Sequence, residues 1–251
     1  MSLRPLRVVA AAACLAISGL VAPLAGAATA EPAELDTANQ PMIIDGNFAE
    51  ETRGAARLFR NGAEVCSATV IAPEWVLTAE HCVASSGNSV RYGDLDQHAG
   101  TLVDQAPNGV ITHPSADLAL IRLANEVDTE FTPLAPSQQV AVGDTVQTYG
   151  WGATCIPAPG QGEASCQSQY LKYANVEVTG VDGTCRGDYR GGLGVCGSRI
   201  DGIPAGGDSG GPMFAESGYQ IGVASTSDRR SVTVYTHITP YRDWITQHTG
   251  V

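Results

Sequence analysis

The stretch Gly206-Gly207-Asp208-Ser209-Gly210-Gly211-Pro212 decides how the rest of the chain is read. A serine flanked by glycines can sit on a tight turn with its hydroxyl exposed. Glycine also lets neighbouring N–H groups converge where a side chain would otherwise stand. A serine hydroxyl is a weak nucleophile at neutral pH, so nucleophilic chemistry here requires a base and an orienting carboxylate from elsewhere in the chain. Without them the motif is a glycine-rich turn carrying an ordinary serine.

Two other stretches supply them. Leu77-Thr78-Ala79-Glu80-His81-Cys82 ends an apolar run with a histidine, followed at once by a cysteine. Asp117-Leu118-Ala119-Leu120-Ile121-Arg122-Leu123 sets a carboxylate at the head of a near-continuous apolar strand. In chain order they read His81, Asp117, Ser209, and the set resembles the trypsin/chymotrypsin family of serine proteases, whose triad has that order. The resemblance runs from about residue 43 to the end. It implies an all-β fold of two antiparallel six-stranded β-barrels with a short C-terminal helix. It also implies a serine endopeptidase that needs no cofactor, acts on protein or peptide substrates, meets protein inhibitors and works as a monomer. By the same resemblance His81 is the general base, Asp117 holds its tautomer, and the N–H groups of Gly207 and Ser209 form the oxyanion hole. Ser225, after Gly222-Val223-Ala224, matches the family's serine beside the buried aspartate.

The same serine motif could be the nucleophile elbow of an α/β-hydrolase, with the order serine, acid, histidine met by Asp228 or Asp243 and His248. That elbow must run from a strand into a helix, and Pro212 and Gly218 leave little room for one. The alternation of helix and strand that builds an α/β sheet is absent as well.

Residues 1–30 read as a secretory signal peptide: Arg4 and Arg7, then an apolar run, then the small-residue cleavage signals Ala25-Gly26-Ala27 and Ala28-Thr29-Ala30. The run contains Gly19 and Pro23 and is short for a membrane span, and Cys14 within it is a passenger. Removing this segment takes two of the 14 basic residues and none of the 26 acidic ones, so the formal charge moves from −12 to −14. So acidic a surface repels phosphate backbones and anionic lipid, which argues against nucleic-acid or membrane binding. Residues 31–42 are acidic, proline-containing and aperiodic, as in a propeptide or flexible arm. Ile43-Ile44-Asp45-Gly46 then resembles the family's mature start, whose free amine pairs with the aspartate before the nucleophile, here Asp208. Met42 and Asp45 depart from that pattern, where the family carries a basic residue and a glycine.

Short β-rich segments separated by Gly, Pro, Asn and Asp turns fill the rest, with strands expected at 68–77, 89–92, 109–112, 145–152, 170–178, 212–215, 219–225 and 231–236. A proline- and glycine-punctuated link at 133–143 divides two lobes, about 43–135 and 140–251, and 241–248 is the one helical pattern. Composition alone says only all-β, in one or two lobes. Six cysteines follow the signal segment, an even number suited to an oxidising, extracellular compartment. They allow fifteen pairings. Resemblance and locality select Cys66–Cys82, Cys155–Cys166 and Cys185–Cys196. No Cys-x-x-Cys or paired histidine suggests a metal. Of the other histidines, His98 and His113 sit in turn-like surroundings, while His237 and His248 fall where packing is expected.

The specificity pocket departs most from the family. The position six residues before Ser209, acidic in trypsin-like members, is Ile203, followed by Pro204 and Ala205. A family cysteine is missing at Ala205, and its partner is missing near Asp228–Arg230. By resemblance Ile203, Pro204, Ser225, Thr226, Ser227 and Thr233 form the specificity pocket; Thr226 replaces a tryptophan, Ser227 a glycine, and Thr233 a glycine that keeps the pocket deep. These changes imply a shallow or apolar pocket and poor cleavage after arginine, with Asp201, two residues out of register, the acid still able to reach in. Glu80 stands where the family has a small residue. A remodelled cleft and altered start also fit a catalytically silent homologue that acts as an extracellular binding module.

Overall fold

The structure, a computed structural model, describes residues 43–251, so the expected signal peptide and arm lie outside the described residues. Its strands are β1 (Asn47–Phe48), β2 (Ala55–Arg60), β3 (Ala63–Ala72), β4 (Trp75–Thr78), β5 (Asn88–Tyr92), β6 (Thr101–Thr112), β7 (Ala119–Leu123), β8 (Thr145–Gly150), β9 (Lys172–Val181), β10 (Gly194–Arg199), β11 (Pro212–Phe214), β12 (Gln220–Ser227) and β13 (Val232–His237). Strands β2 to β7 close a first barrel in the order β2-β3-β4-β7-β6-β5. The second runs β8-β9-β10-β13-β12-β11, with β11 returning to β8 and β1 pairing with β9. Both are antiparallel six-stranded barrels, as the resemblance implied, and closure leaves no free strand edge in either.

Alternation explains why the strands form. In β9, Ala174, Val176 and Val178 point inward, while Asn175 and Glu177 face outward. Val146, Val195, Met213, Ile221 and Tyr235 complete that core. The first barrel is filled by Leu58, Val70, Val76, Leu120 and Ile121, and Ile245 of the C-terminal helix α1 (Arg242–Thr249) packs onto it. The helix ends where Gly250 takes a left-handed φ of 83° and its N–H bonds Thr246 O.

Several boundaries differ from the sequence expectation. The single strand expected at 68–77 is a hairpin, because Pro73 lacks an N–H and turns the chain between β3 and β4. Strand β6 is far longer than the expected 109–112. Its register shifts between Gln105 and Val110, where Asn108 has a φ of 54°. The sequence pattern singles out neither β2 nor β10. β10 holds two glycines, and at Gly197 a Cβ would press on Val176, so close packing replaces a side-chain signal.

All three expected disulfides are present, Cys66–Cys82, Cys155–Cys166 and Cys185–Cys196. Among the described residues no helix is long and apolar enough to cross a membrane.

Candidate functional site

The first barrel supplies an acid–base pair. His81 stands in the helical turn Glu80–Cys82 directly after β4, tied back to β3 by Cys82–Cys66. Asp117 is fully buried just before β7, the neighbour of β4, so pairing of these strands brings the two together. His81 Nδ1 lies 2.8 Å from Asp117 Oδ2, and the His81 backbone N–H donates to Oδ1 at 3.1 Å. Ser225 on β12 donates its hydroxyl to Oδ2 at 2.7 Å. Burial pushes the Asp117 carboxyl up, but the hydrogen bond and charge of His81 and the Ser225 hydroxyl outweigh it and hold it below the ordinary carboxylate value. A carboxylate beside Nδ1 keeps the proton there and leaves Nε2 free to accept.

A second segment braces this pair. The Asp117 N–H donates to the buried carboxylate of Asp188 at 2.9 Å, and the Tyr189 N–H donates to Ser225 Oγ at 2.9 Å. The Tyr189 ring meets His81 edge-on at 5.8 Å, and Arg190 forms an ion pair with Glu80 at 2.9 Å. The sequence leaves the effect of Glu80 open; its carboxylate anchors this brace. Asp188, Tyr189 and Arg190 all lie within the loop closed by Cys185–Cys196. Their polar, turn-like sequence gives no signal of that role.

The second barrel supplies the serine. Gly207 has a φ of 100° and Gly210 one of 78°, left-handed conformations that glycine alone adopts freely. The turn is tied down by Gly210 N–H to Ala224 O, Gly211 N–H to Asp208 O, and Ser67 N–H to Ser209 O. Among the described residues, the N–H groups of Gly207 and Ser209 meet no protein acceptor. Ser209 and His81 line the same two cavities but share no hydrogen bond with each other.

Asp208 is fully buried and accepts N–H groups from Gly152 at 2.7 Å and Ala205 at 2.8 Å. Burial raises its carboxyl to about 6, against those bonds and the charge of Arg57. Two buried cations stand near it without bonding it: Arg57, which burial lowers to about 10, and Lys172, which burial lowers to about 7. The Lys172 ammonium lies 3.7 Å from the Phe48 ring centre. Ile43 is fully buried with a φ of 30°, a strained value for a β-branched residue.

A cavity of about 400 Å³ opens beside Ser209. Pro204, Ser225, Thr226, Ser227 and Thr233 line it as the sequence suggested, and among the described residues its lining includes no carboxylate. Ile203 does not line it; its side chain packs with Ile44, Ala153 and Ala205. Asp201 is turned away, accepting from Asn47 and Asn175. Thr233 Oγ1 donates to Thr226 O at 3.1 Å across the two strands, filling space that glycine would leave open. Arg229, which the sequence did not mark, also reaches this lining, and its charge is met by Glu163. Cys66, His81 and Cys82 lie within common reach of a metal ion, but the two sulfurs are joined to each other and offer no thiolate.

Two barrels that meet at a histidine–aspartate pair and a glycine-framed serine define a trypsin-like serine protease domain. The Trypsin family model matches residues 43–245, and the chain belongs to that family. It is 30% identical over 199 residues to an uncharacterized peptidase of Corynebacterium glutamicum, covering 75% of this chain and 66% of that protein. It is 32% identical to granzyme M of Homo sapiens (78% of this chain, 83% of the relative) and 29% identical to brachyurin of Leptuca pugilator (78% and 92%). Among solved structures it resembles mouse neuropsin, a serine protease, with a TM-score of 0.66 at 25% identity over 81% of this chain and 98% of that one. Human heparin binding protein is also similar, with a TM-score of 0.68 at 25% identity over 80% and 94%.

Proposed function

We propose that this chain is a secreted serine endopeptidase that cleaves peptide bonds through an acyl-enzyme, with His81, Asp117 and Ser209 as its triad. The observation that carries the reading is the continuous bond series Ser225–Asp117–His81, which reaches the cavity that Ser209 lines. In the reaction, Ser209 Oγ attacks the scissile carbonyl carbon and its proton passes to His81 Nε2. Asp117 stabilises the imidazolium that forms. The carbonyl oxygen becomes an oxyanion held by the unspent N–H groups of Gly207 and Ser209, each worth about 3 kcal/mol by analogy with measured oxyanion holes. His81 then protonates the leaving amine, the acyl-enzyme forms, and water repeats the sequence to release the acid.

The pocket supports small or apolar P1 side chains. Among the described residues its lining carries no carboxylate to meet a lysine or arginine, and Thr233 and Ser227 line it where the family has glycines. Profiling peptide amides that differ only at P1 tests this. Alanine, valine or leucine is expected to exceed arginine by at least about tenfold in kcat/KM, whereas rapid arginine cleavage refutes the assignment.

Activation is proposed to follow cleavage before Ile43, whose new amine would neutralise buried Asp208. The strained Ile43 backbone and the raised Asp208 carboxyl support this. Export is supported by the leader-like segment 1–30 and by three disulfides. The second reading, a silent binding module, is favoured by the missing hydrogen bond between His81 and Ser209. Such bonds are often long before substrate binds, so the protease reading stands first. Heparin binding is not carried over from the structural neighbour, because a net charge of −12 repels a polyanion.

A further inference from the structure

We propose that Gln167, locked in one orientation by Arg57, is a positioning residue that aims the Gly207 N–H into the oxyanion hole. The inference rests on the protease reading and deepens it. Gly207 N–H belongs to the Gly206–Gly207 peptide, and in a trans peptide N–H and C=O point in opposite directions. Whatever holds the Gly206 carbonyl therefore sets where the Gly207 N–H points. That carbonyl accepts Gln167 Nε2–H at 2.7 Å and Ala153 N–H at 2.8 Å. The next carbonyl, of Gly207, accepts Arg57 Nη1–H at 3.0 Å and Ser67 Oγ–H at 3.0 Å. Both peptides are thus fixed from the side away from the Gly207 N–H, which itself meets no protein acceptor among the described residues.

Gln167 could in principle serve either orientation of the peptide, because its amide carries an acceptor at one end and donors at the other. Turned over, Oε1 would accept the Gly207 N–H and empty the oxyanion hole of that donor. Arg57 prevents this. Its Nη2–H donates to Gln167 Oε1 at 2.8 Å, and a guanidinium has no acceptor to offer, so the amide must present Nε2 to Gly206. Nε2 is also engaged by Glu163 O at 3.1 Å. Arg57 is buried and, among the described residues, has no carboxylate in bonding distance; its polar contacts are to these carbonyl and amide groups. Burial lowers it only to about 10, which leaves it protonated at working pH. A Cβ on Gly207 would collide with the Gln167 side chain, which shows how closely the amide packs on this peptide.

The test uses protein beginning at Ile43 and compares Gln167→Glu with Gln167→Met. Glutamate keeps the acceptor for Arg57 and gains an ion pair, but it repels the Gly206 carbonyl and attracts a reversed Gly207 N–H. Methionine merely removes the donor and leaves Ala153 to hold the carbonyl. The expected loss in kcat is about 100-fold for Q167E and about tenfold for Q167M, set against the 10²–10³ cost of deleting an oxyanion donor outright. KM should stay within about twofold, and affinity for a peptide aldehyde should fall in step with kcat, because the aldehyde adduct places its oxygen in the same hole. A residue that only stabilised the loop would lower the melting temperature in both variants while the folded proteins kept wild-type kcat and aldehyde affinity, and that result overturns the proposal. So does a Q167E protein with wild-type kcat. Wild-type protein that neither hydrolyses peptides nor binds the aldehyde would instead sink the protease reading, and this inference with it.

Discussion

Two disulfide-closed loops flank Ser209, and they brace different chemistry. The Cys185–Cys196 loop holds the proton-transfer side: Asp188 takes the Asp117 N–H, Tyr189 lies against His81, and Arg190 pins Glu80. The Cys155–Cys166 loop, with Gln167 just beyond it, holds Gly206 through Gln167 and Glu163, on the side proposed to stabilise charge. The first acts through the buried Asp188 carboxylate and a partly solvated ion pair, the second through a buried guanidinium, an amide and the Glu163 carboxylate, itself paired with Arg229. Proton transfer needs one hydrogen bond kept in line, whereas an oxyanion hole needs two N–H groups held at a fixed angle. The oxyanion side therefore carries the heavier buried anchoring.

The largest effect should come from the proton-transfer side itself. Asp117→Asn keeps the shape but presents an amide to His81, which favours the wrong tautomer. In the Ser-His-Asp template that change costs about 10⁴ in kcat, and steady-state hydrolysis at neutral pH should show a comparable loss. A loss under about tenfold would mean that Ser225 and the His81 N–H can orient the ring alone.

Next comes the oxyanion turn. The Asp208 carboxyl is raised from its ordinary 3.8 to about 6. Its contribution to stability is therefore fully present below the unfolded value and is lost as pH rises through about 6. The full loss is about 3 kcal/mol, and about four-fifths of it falls between pH 4 and 7. Urea midpoints of protein carrying the residues before Ile43 should fall over that range, and Asp208→Asn should remove the fall. In protein beginning at Ile43 the same substitution strands the new amine. There it should destabilise by about 3 kcal/mol and abolish most activity. An equal response in the two forms would break the link between the start of the chain and the turn.

How far these features were legible in the sequence follows the same division. His81, Asp117 and Ser209 are written in short local motifs, because each needs neighbours of fixed type: a cysteine beside the histidine, apolar residues after the aspartate, glycines around the serine. The braces are not local. Gln167 meets Gly206 across 39 positions, Arg57 meets Gly207 across 150, and Asp188 meets Asp117 across 71, so only the closed barrels bring them together. Strand β2 is illegible for a related reason: its Arg57 breaks the apolar pattern while being fully enclosed between the barrels. Counting back from Ser209 places Ile203 in the pocket, but its apolar side chain packs against Ile44 instead.

Smaller effects sharpen the pocket side. Thr233→Gly removes the hydroxyl and methyl that fill the cavity beside Thr226. The kcat/KM ratio of phenylalanine to alanine at P1 should rise by roughly tenfold; an unchanged ratio would place the limit on depth elsewhere. The smallest effect is expected from Arg190→Ala. Its partner Glu80 is partly solvated, and such ion pairs contribute about 1 kcal/mol or less. Activity should stay within about twofold of wild type, and that difference should shrink further in high salt, while a larger drop would make the Cys185–Cys196 loop the heavier brace after all.

The most direct test of the central claim is the intact mass of protein beginning at Ile43, before and after a small sulfonyl fluoride, beside Ser209→Ala. A single adduct on the wild type and none on the variant is the expected result, because only a serine activated by His81 and facing an oxyanion hole reacts so. A correctly folded chain that takes no adduct, or a variant labelled as readily as the wild type, would contradict the account and leave a binding module in a protease fold.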